Sequence, residues 1–361
     1  MRVLFVCTTG GAGRRQLGGA ERFLAEMLPA LAEQGVEVLA ATPDDEVAAT
    51  LRDSGIRWFR LAATRRVDLD YARDIRRLVD ESRPDVVSAH LLSAAMHVRA
   101  GLGIKGRQTP LVVALHNSLW QYRDAAVSLR GKAAVQANIA LDLIARRLRP
   151  HATVAVSAFE AEELRVRGRV HDVRVITNPL PAIWPTADVT SRHPSTRAIR
   201  VGFLGRLERE KGVDLITDIA DELADAEFLV AGAGTLKIAA RPNIRLVGRV
   251  DAASFLPTLD CLLVPSRVES FGRSALEAMS LGVPVVHSGV GGLAEITRRG
   301  AGVLAYQADL TTPAITAAIR AATRPGSDPE HRRELAQEYA SEHSFARCVQ
   351  NWLDLYRAVS K

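Results

Sequence analysis

The stretch Leu262-Leu263-Val264-Pro265-Ser266-Arg267-Val268-Glu269-Ser270-Phe271-Gly272-Arg273-Ser274-Ala275-Leu276-Glu277-Ala278-Met279-Ser280-Leu281-Gly282-Val283-Pro284-Val285-Val286 carries the fold in miniature. Leu262 to Val264 reads as a buried strand, Ser274 to Ser280 as a helix, and Val283-Pro284-Val285-Val286 as a second buried strand. Continuously apolar strands separated by a helix imply parallel pairing in a sheet covered on both faces. Glu269 falls in the loop and Glu277 in the helix, eight positions on. Ionised glutamates only accept hydrogen bonds, which suits hydroxyl-rich ligands such as sugars and riboses. The turn at Phe271-Gly272, followed by Arg273 and Ser274, presents backbone N–H groups to an anion at the helix start. On a surface these carboxylates would simply be solvated; embedded in an apolar stretch they point to a site.

The same alternation extends in both directions. Val3 to Val6 reads as a strand, Ala20 to Gln34 as a helix and Val36 to Ala41 as a strand. Trp58 to Leu61, a helix from Leu69 to Ser82, Asp85 to His90, Leu111 to His116, a helix near Arg130 to Leu148 and Ala152 to Ser157 continue it. Between Thr177 and Arg200 the text turns to Asn178-Pro179-Leu180-Pro181 and Trp184-Pro185, which reads as a linker. A second alternation then runs through Ile199 to Leu204, Phe228 to Ala231, Ile244 to Val247, Leu262 to Val264 and Val283 to Val286. The expected class is α/β, two Rossmann-like domains with parallel sheets facing across a cleft. Residues 1–178 form the first, completed by a C-terminal helix at 344–361, and residues 179–343 the second.

Ligands of open parallel sheets gather at the carboxyl ends of strands, where the motifs should lie. Gly205-Arg206-Leu207-Glu208-Arg209-Glu210-Lys211-Gly212 follows the first strand of the second half and opens a helix. Glycine admits close approach of a backbone to phosphate, and Arg206 with Lys211 can neutralise a diphosphate; a solvated charged loop is the plainer reading. Asp68-Leu69-Asp70 has the form of a metal-binding pair but begins a helix, where capping accounts for it. Ala231-Gly232-Ala233-Gly234 lacks the third glycine of a dinucleotide fingerprint and reads as a tight turn near the nucleotide. His90 reads as a strand-end residue.

The composition of the 361 residues, 47% hydrophobic and 24% charged with mean hydropathy +0.02, is that of a globular protein large enough for two cores. No apolar run reaches the length of a membrane span, and Met1 to Cys7 is too soon broken for a signal peptide, so the chain is expected in the cytoplasm. Cys7, Cys261 and Cys348 are scattered and read as reduced core thiols. The net charge of +6 is unspecific: only five Lys occur among 47 basic residues, which fits codon bias in a GC-rich bacterium. Arg146, Arg147 and Arg149 at the end of a helix leave a peripheral contact with an anionic inner membrane face open, although cations are ordinary dipole partners there.

These motifs, in this order, resemble the retaining glycosyltransferases of the GT-B fold, family four. Glu269 and Glu277 match that family's Glu-x7-Glu, and Gly205, Arg206, Lys211 and Gly212 its Gly-Arg-...-Lys-Gly stretch. Gly291-Gly292-Leu293-Ala294-Glu295-Ile296 and Gly18-Gly19-Ala20-Glu21 look like two further family segments. The resemblance implies that Arg206 and Lys211 hold the diphosphate, Glu277 the ribose and Glu269 the transferred sugar. It further implies that Gly18 and Gly19 approach the phosphates and that His116 lies near the sugar. The donor would be a UDP- or GDP-sugar and the acceptor a small molecule, glycan or lipid-linked hydroxyl, with no cofactor, metal or nucleic acid. Pro179 after Asn178, where the family usually has Gly, and a first loop lengthened by Gly10 to Gln16 depart from the pattern. A nucleotide-sugar 2-epimerase would share the architecture but need acid-base carboxylates. A non-catalytic nucleotide-sugar binder would have little need of both Arg206 and Lys211.

Overall fold

A computed structural model describes residues 1–7, 19–43, 45–65, 67–103, 109–148, 152–186, 198–324 and 329–361. The chain divides into two compact units, Met1–Asn178 together with Ala346–Lys361, and Pro179–Phe345. In the first unit β1 (Arg2–Cys7), β2 (Glu37–Ala41), β3 (Arg57–Phe59), β4 (Val86–His90), β5 (Leu111–Ala114), β6 (Ala152–Ala155) and β7 (Val173–Val175) form one sheet. Its order is β3-β2-β1-β4-β5-β6-β7, and every pairing is parallel. Strands such as Val3-Leu4-Phe5-Val6 are apolar at every position because helices cover both faces, and all four are buried.

Asp68 shows how a helix start consumes a carboxylate. It caps the helix Leu69–Ser82, accepting from the backbone of Tyr71 and from both the N–H and the hydroxyl of Thr64. Those donors, Tyr71 foremost, hold its carboxyl well below the usual range. Asp70 pairs with Arg73 on the exposed side of the same helix.

Arg146 corrects one sequence expectation. Rather than facing a membrane, it turns inward from the helix Leu129–Leu148 to Asp142 at 2.6 Å and to the Thr153 hydroxyl at 3.0 Å. Arg99, from the helix Leu92–Leu102, reaches the other oxygen of Asp142 at 2.6 Å. Burial alone would raise the Asp142 carboxyl; Arg146 and Arg99 outweigh it and keep it below its ordinary value. The outer face of the longer helix exposes Leu129, Leu141 and Ile144 instead, while Arg149 and the side chain of Arg147 lie outside the described residues.

The last helix, Phe345–Val359, buries Trp352, Leu353, Leu355 and Tyr356 in the first unit. Trp352 packs 5.4 Å from the His90 ring, and Tyr356 meets Phe5 edge-on at 5.7 Å. Among the described residues no helix is long and apolar enough to cross a membrane. All three cysteines are buried free thiols.

The second unit repeats the plan with β8 (Ile199–Leu204), β9 (Ala226–Ala231), β10 (Ile244–Gly248), β11 (Cys261–Val264), β12 (Val285–His287) and β13 (Ala305–Gln307). Their order is β10-β9-β8-β11-β12-β13. The stretch read as a linker from Thr177 is not free over its first part. Leu180 is buried and its N–H donates to the His343 carbonyl at 2.9 Å, and the Trp184 indole donates to the Ser280 hydroxyl at 2.8 Å. Apolar side chains among the prolines thus dock residues 179–185 on the second unit.

The buried Arg99–Asp142–Arg146 cluster yields a stability prediction. Asp142→Ala leaves two cations without their shared carboxylate, which costs about 3–5 kcal/mol. Urea unfolding of the variant should show a midpoint lowered accordingly; an unchanged midpoint would mean that the cluster contributes nothing.

Candidate functional site

In the second unit the strand order reverses between β8 and β11, which are neighbours in the sheet. Such a switch point is where open α/β sheets hold ligands. Two loops leave from it, Gly205 to Gly212 after β8 and Pro265 to Gly272 after β11. The backbone N–H groups of Arg267 and Val268 donate to the Glu210 carbonyl at 2.7 and 3.2 Å. The Arg267 guanidinium grips Asp214 with two bonds of 2.7 and 3.0 Å. Gly212 stands at φ 72°, and a Cβ there would lie 1.9 Å from the Pro265 carbonyl oxygen. The two loops therefore meet backbone to backbone.

A third segment lies against the first loop. The N–H of Gly205 donates to Ala231 at 3.1 Å and that of Leu207 to Ala233 at 3.0 Å. A Cβ on Gly232 would fall 1.8 Å from the Gly205 carbonyl oxygen. Ala231-Gly232-Ala233-Gly234 is thus a tight turn against which the β8 loop rests, as its missing third glycine suggested. Glu208 fixes the same turn by accepting from the N–H and the hydroxyl of Thr235.

Charged side chains close the contact between the loops. Lys211 Nζ lies 2.6 Å from Glu269 Oε2, with both side chains mostly buried. Arg206 pairs with Glu210 at 2.7 Å, and Arg273 with Glu277 at 3.3 Å, one helical turn apart. Gly272 caps the helix Arg273–Ser280, whose first turn holds Arg273 and Ser274. The positive end of this helix, with Lys211 and Arg206 on the facing loop, suits a diphosphate. The Phe271 ring is buried and meets His343 edge-on at 5.8 Å, so this residue offers its backbone to the site rather than a ring face.

Sequence reasoning singled out both loops but none of these pairings. Glu210 in particular stood unmarked, although its spacing of four from Arg206 carried the signal.

His116 belongs to the first unit. It lies beyond the end of β5 with φ 60°, a left-handed backbone uncommon outside glycine. Its Nε2 is 2.9 Å from His90 Nδ1, and the rings stack with centroids 5.2 Å apart. Burial lowers His116 to about 4, and burial together with His116 lowers His90 well below its ordinary value, so both are neutral at neutral pH. His90, read from the sequence as a plain strand end, is instead the partner of His116. Gly18 lies outside the described residues, and Gly19 is the first residue of the helix Gly19–Glu33.

Residues 17–182 match the family model described as Glycosyltransferase Family 4, and residues 198–324 the one described as Glycosyl transferases group 1. The chain carries the two domains of a family-four GT-B glycosyltransferase. It is similar to a 2-deoxystreptamine glucosyltransferase of Streptomyces kanamyceticus, 40% identical over 26% of this chain and 29% of the relative. It is also similar to a glycogen synthase of Mycobacterium tuberculosis, 35% identical over 36% of this chain and 34% of that protein. The chain thus spans about a third of the length of these curated relatives. Among solved structures, sucrose-phosphate synthase from Thermosynechococcus elongatus superposes with a TM-score of 0.80 at 16% identity, covering 99% of both chains. Anabaena HepE, in complex with UDP and glucose, gives 0.78 at 17% identity, covering 99% of this chain and all of that one. At such identities the likeness establishes the GT-B fold.

Two glycines of the second unit isolate the crowding at the loop contact. Gly212 and Gly248 have nearly the same positive φ, 72° and 70°, but nothing lies within 4 Å of a Cβ on Gly248. Gly248→Ala should cost about 1–2 kcal/mol from its left-handed backbone alone, and Gly212→Ala a further 1–3 kcal/mol or so from overpacking. Equal losses in denaturant unfolding would contradict the close approach of the loops.

Proposed function

We propose that the chain is a retaining, metal-independent glycosyltransferase that moves a sugar from a nucleoside diphosphate sugar to a hydroxyl acceptor. The observation that carries this reading is the meeting of Lys211 and Glu269 at the switch point, one from each motif loop. A cation for the diphosphate and an acceptor for sugar hydroxyls then stand side by side. Lys211 and Arg206 bind the two phosphates, each by exchanging or extending its present carboxylate partner. The N–H groups after Gly272, with Gly205 and the Arg273–Ser274 turn, complete the cradle. Glu277 accepts from the ribose hydroxyls and Glu269 from the transferred sugar.

Retention follows from the family resemblance. No side chain stands out as a nucleophile, and the catalytic contribution is electrostatic: as the glycosidic bond breaks, charge gathers on the leaving phosphate, where Arg206, Lys211 and the backbone N–H groups stabilise it. Two side-chain cations and a helix start supply what a metal supplies in metal-dependent transferases, which supports metal independence. HepE in complex with UDP-glucose gives a UDP-sugar donor a precedent on this fold, with GDP-sugars the alternative. The first unit holds the acceptor in this reading, with His116 at the transferred sugar and Gly18 and Gly19 at the phosphates. The exposed Leu129, Leu141 and Ile144 are compatible with a lipid-linked acceptor at the inner membrane face.

Removing a charge-assisted contact by Arg206→Ala or Lys211→Ala should cost roughly 1.5–3 kcal/mol in binding, and more in the transition state, so kcat falls further than donor affinity. Glu277→Gln should weaken binding of the free nucleoside diphosphate, whereas Glu269→Gln should impair transfer without weakening it. Calorimetry beside steady-state kinetics separates these outcomes, and parent-like behaviour of all four variants would place the donor elsewhere. Activity in excess chelator, and an anomeric proton coupling in the product that matches the donor's, check the remaining claims. Loss of activity restored by magnesium or manganese would overturn metal independence, and an inverted anomeric centre would overturn retention.

A further inference from the structure

A run of hydrogen bonds through buried groups crosses the first unit from the last helix to His116. The Tyr356 hydroxyl is 2.9 Å from Ser88 Oγ, Ser88 Oγ is 3.0 Å from His90 Nε2, and His90 Nδ1 is 2.9 Å from His116 Nε2. Tyr356, Ser88 and His90 are fully buried. The run points one way or the other unless Ser88 accepts from both neighbours, and then its own buried hydroxyl proton has no acceptor among the described residues. Among the described residues the Tyr356 hydroxyl has Ser88 as its hydrogen-bond partner and no second one.

If the run pointed from His116 towards Tyr356, the tyrosine proton would be left buried without an acceptor. Pointed the other way, every proton is used: Tyr356 donates to Ser88, Ser88 to His90 Nε2, and His90 Nδ1–H to His116 Nε2. The imidazoles are neutral, so each carries one proton. Since His116 accepts at Nε2, its own proton sits on Nδ1, which has no partner among the described residues.

We propose that Tyr356, acting through Ser88 and His90, is a positioning residue that fixes His116 as the Nδ1–H tautomer, so that His116 presents a hydrogen-bond donor to a sugar oxygen of the ligand. The ligand half of this inference rests on the reading that His116 meets the transferred sugar; the tautomer half stands on unit one alone. The ring is held for the task by its stacking on His90, by Phe23 at 5.8 Å and by the left-handed backbone at φ 60°. Trp352 and Phe5 flank His90 at 5.4 and 5.9 Å and keep that ring from turning over. A donor at this point selects for an acceptor oxygen on the sugar, and His116 in this tautomer cannot serve as a base through Nδ1.

The test uses the full chain with 15N-labelled histidine and long-range 1H–15N correlation spectra. In the parent protein His90 and His116 should both show a protonated Nδ1 and an unprotonated Nε2. Tyr356→Phe removes the terminal donor and frees the Ser88 hydroxyl to turn, and Ser88→Ala removes the link itself. In either variant both rings should drift toward a mixture of tautomers, and kcat should fall about 3- to 10-fold with little change in donor KM. A proton on Nε2 of His116 in the parent, or tautomers unmoved in both variants, would overturn the relay. Tautomers that move while kcat does not would overturn the placement of His116 at the sugar.

Discussion

The close approach of Gly212 to the Pro265 carbonyl is the constraint on which the second unit's chemistry depends. Only a residue without a Cβ lets the loop after β8 lie against the loop after β11, because that carbon would fall 1.9 Å from the oxygen. With the backbones in contact, Lys211 and Glu269 come within 2.6 Å although they are 58 residues apart. Arg267 on Asp214 and the Glu210 carbonyl on two N–H groups then hold the pair in register. In the proposed reading, a cation and a carboxylate so fixed keep the free site nearly neutral until a diphosphate competes for Lys211. Reorganisation on binding is then confined to side chains that already face one another, which is the condition for electrostatic preorganisation.

The first unit solves a different problem with the same architecture. Its polar run lies among apolar strands and depends on the last helix, which supplies Tyr356 from the far end of the chain. Buried polar groups are tolerable only when every donor and acceptor is used, and the run meets that condition up to His116 Nδ1. The Arg99–Asp142–Arg146 cluster offsets its buried charges by pairing both guanidinium groups with one carboxylate.

Much of this was legible in the sequence because doubly wound sheets place functional residues at strand ends. Apolar runs marked the strands, and Arg206, Lys211 and Glu269 lie in the loops that follow them, with Glu277 on the next helix. What stayed hidden depends on strand order or on the direction of a side chain. His90 and His116 become partners only because β4 and β5 are neighbours. Arg146 carried a readable partner four residues earlier in Asp142, but only the burial of that face separates an inward pair from a membrane cation. Phe271 sits within the motif, yet its ring is turned away to His343, a contact 72 residues distant that periodicity cannot foresee. The docking of residues 179–185 was hidden by prolines, which signal a loop without saying whether it packs.

The claim that Glu269 neutralises Lys211 in the free protein is tested most directly by a double-mutant cycle on calorimetric binding of UDP, using Lys211→Ala, Glu269→Gln and both together. The account predicts that Glu269→Gln tightens UDP binding several-fold when Lys211 is present and leaves it unchanged when Lys211 is absent, a coupling of about 1 kcal/mol. Strictly additive effects would contradict it.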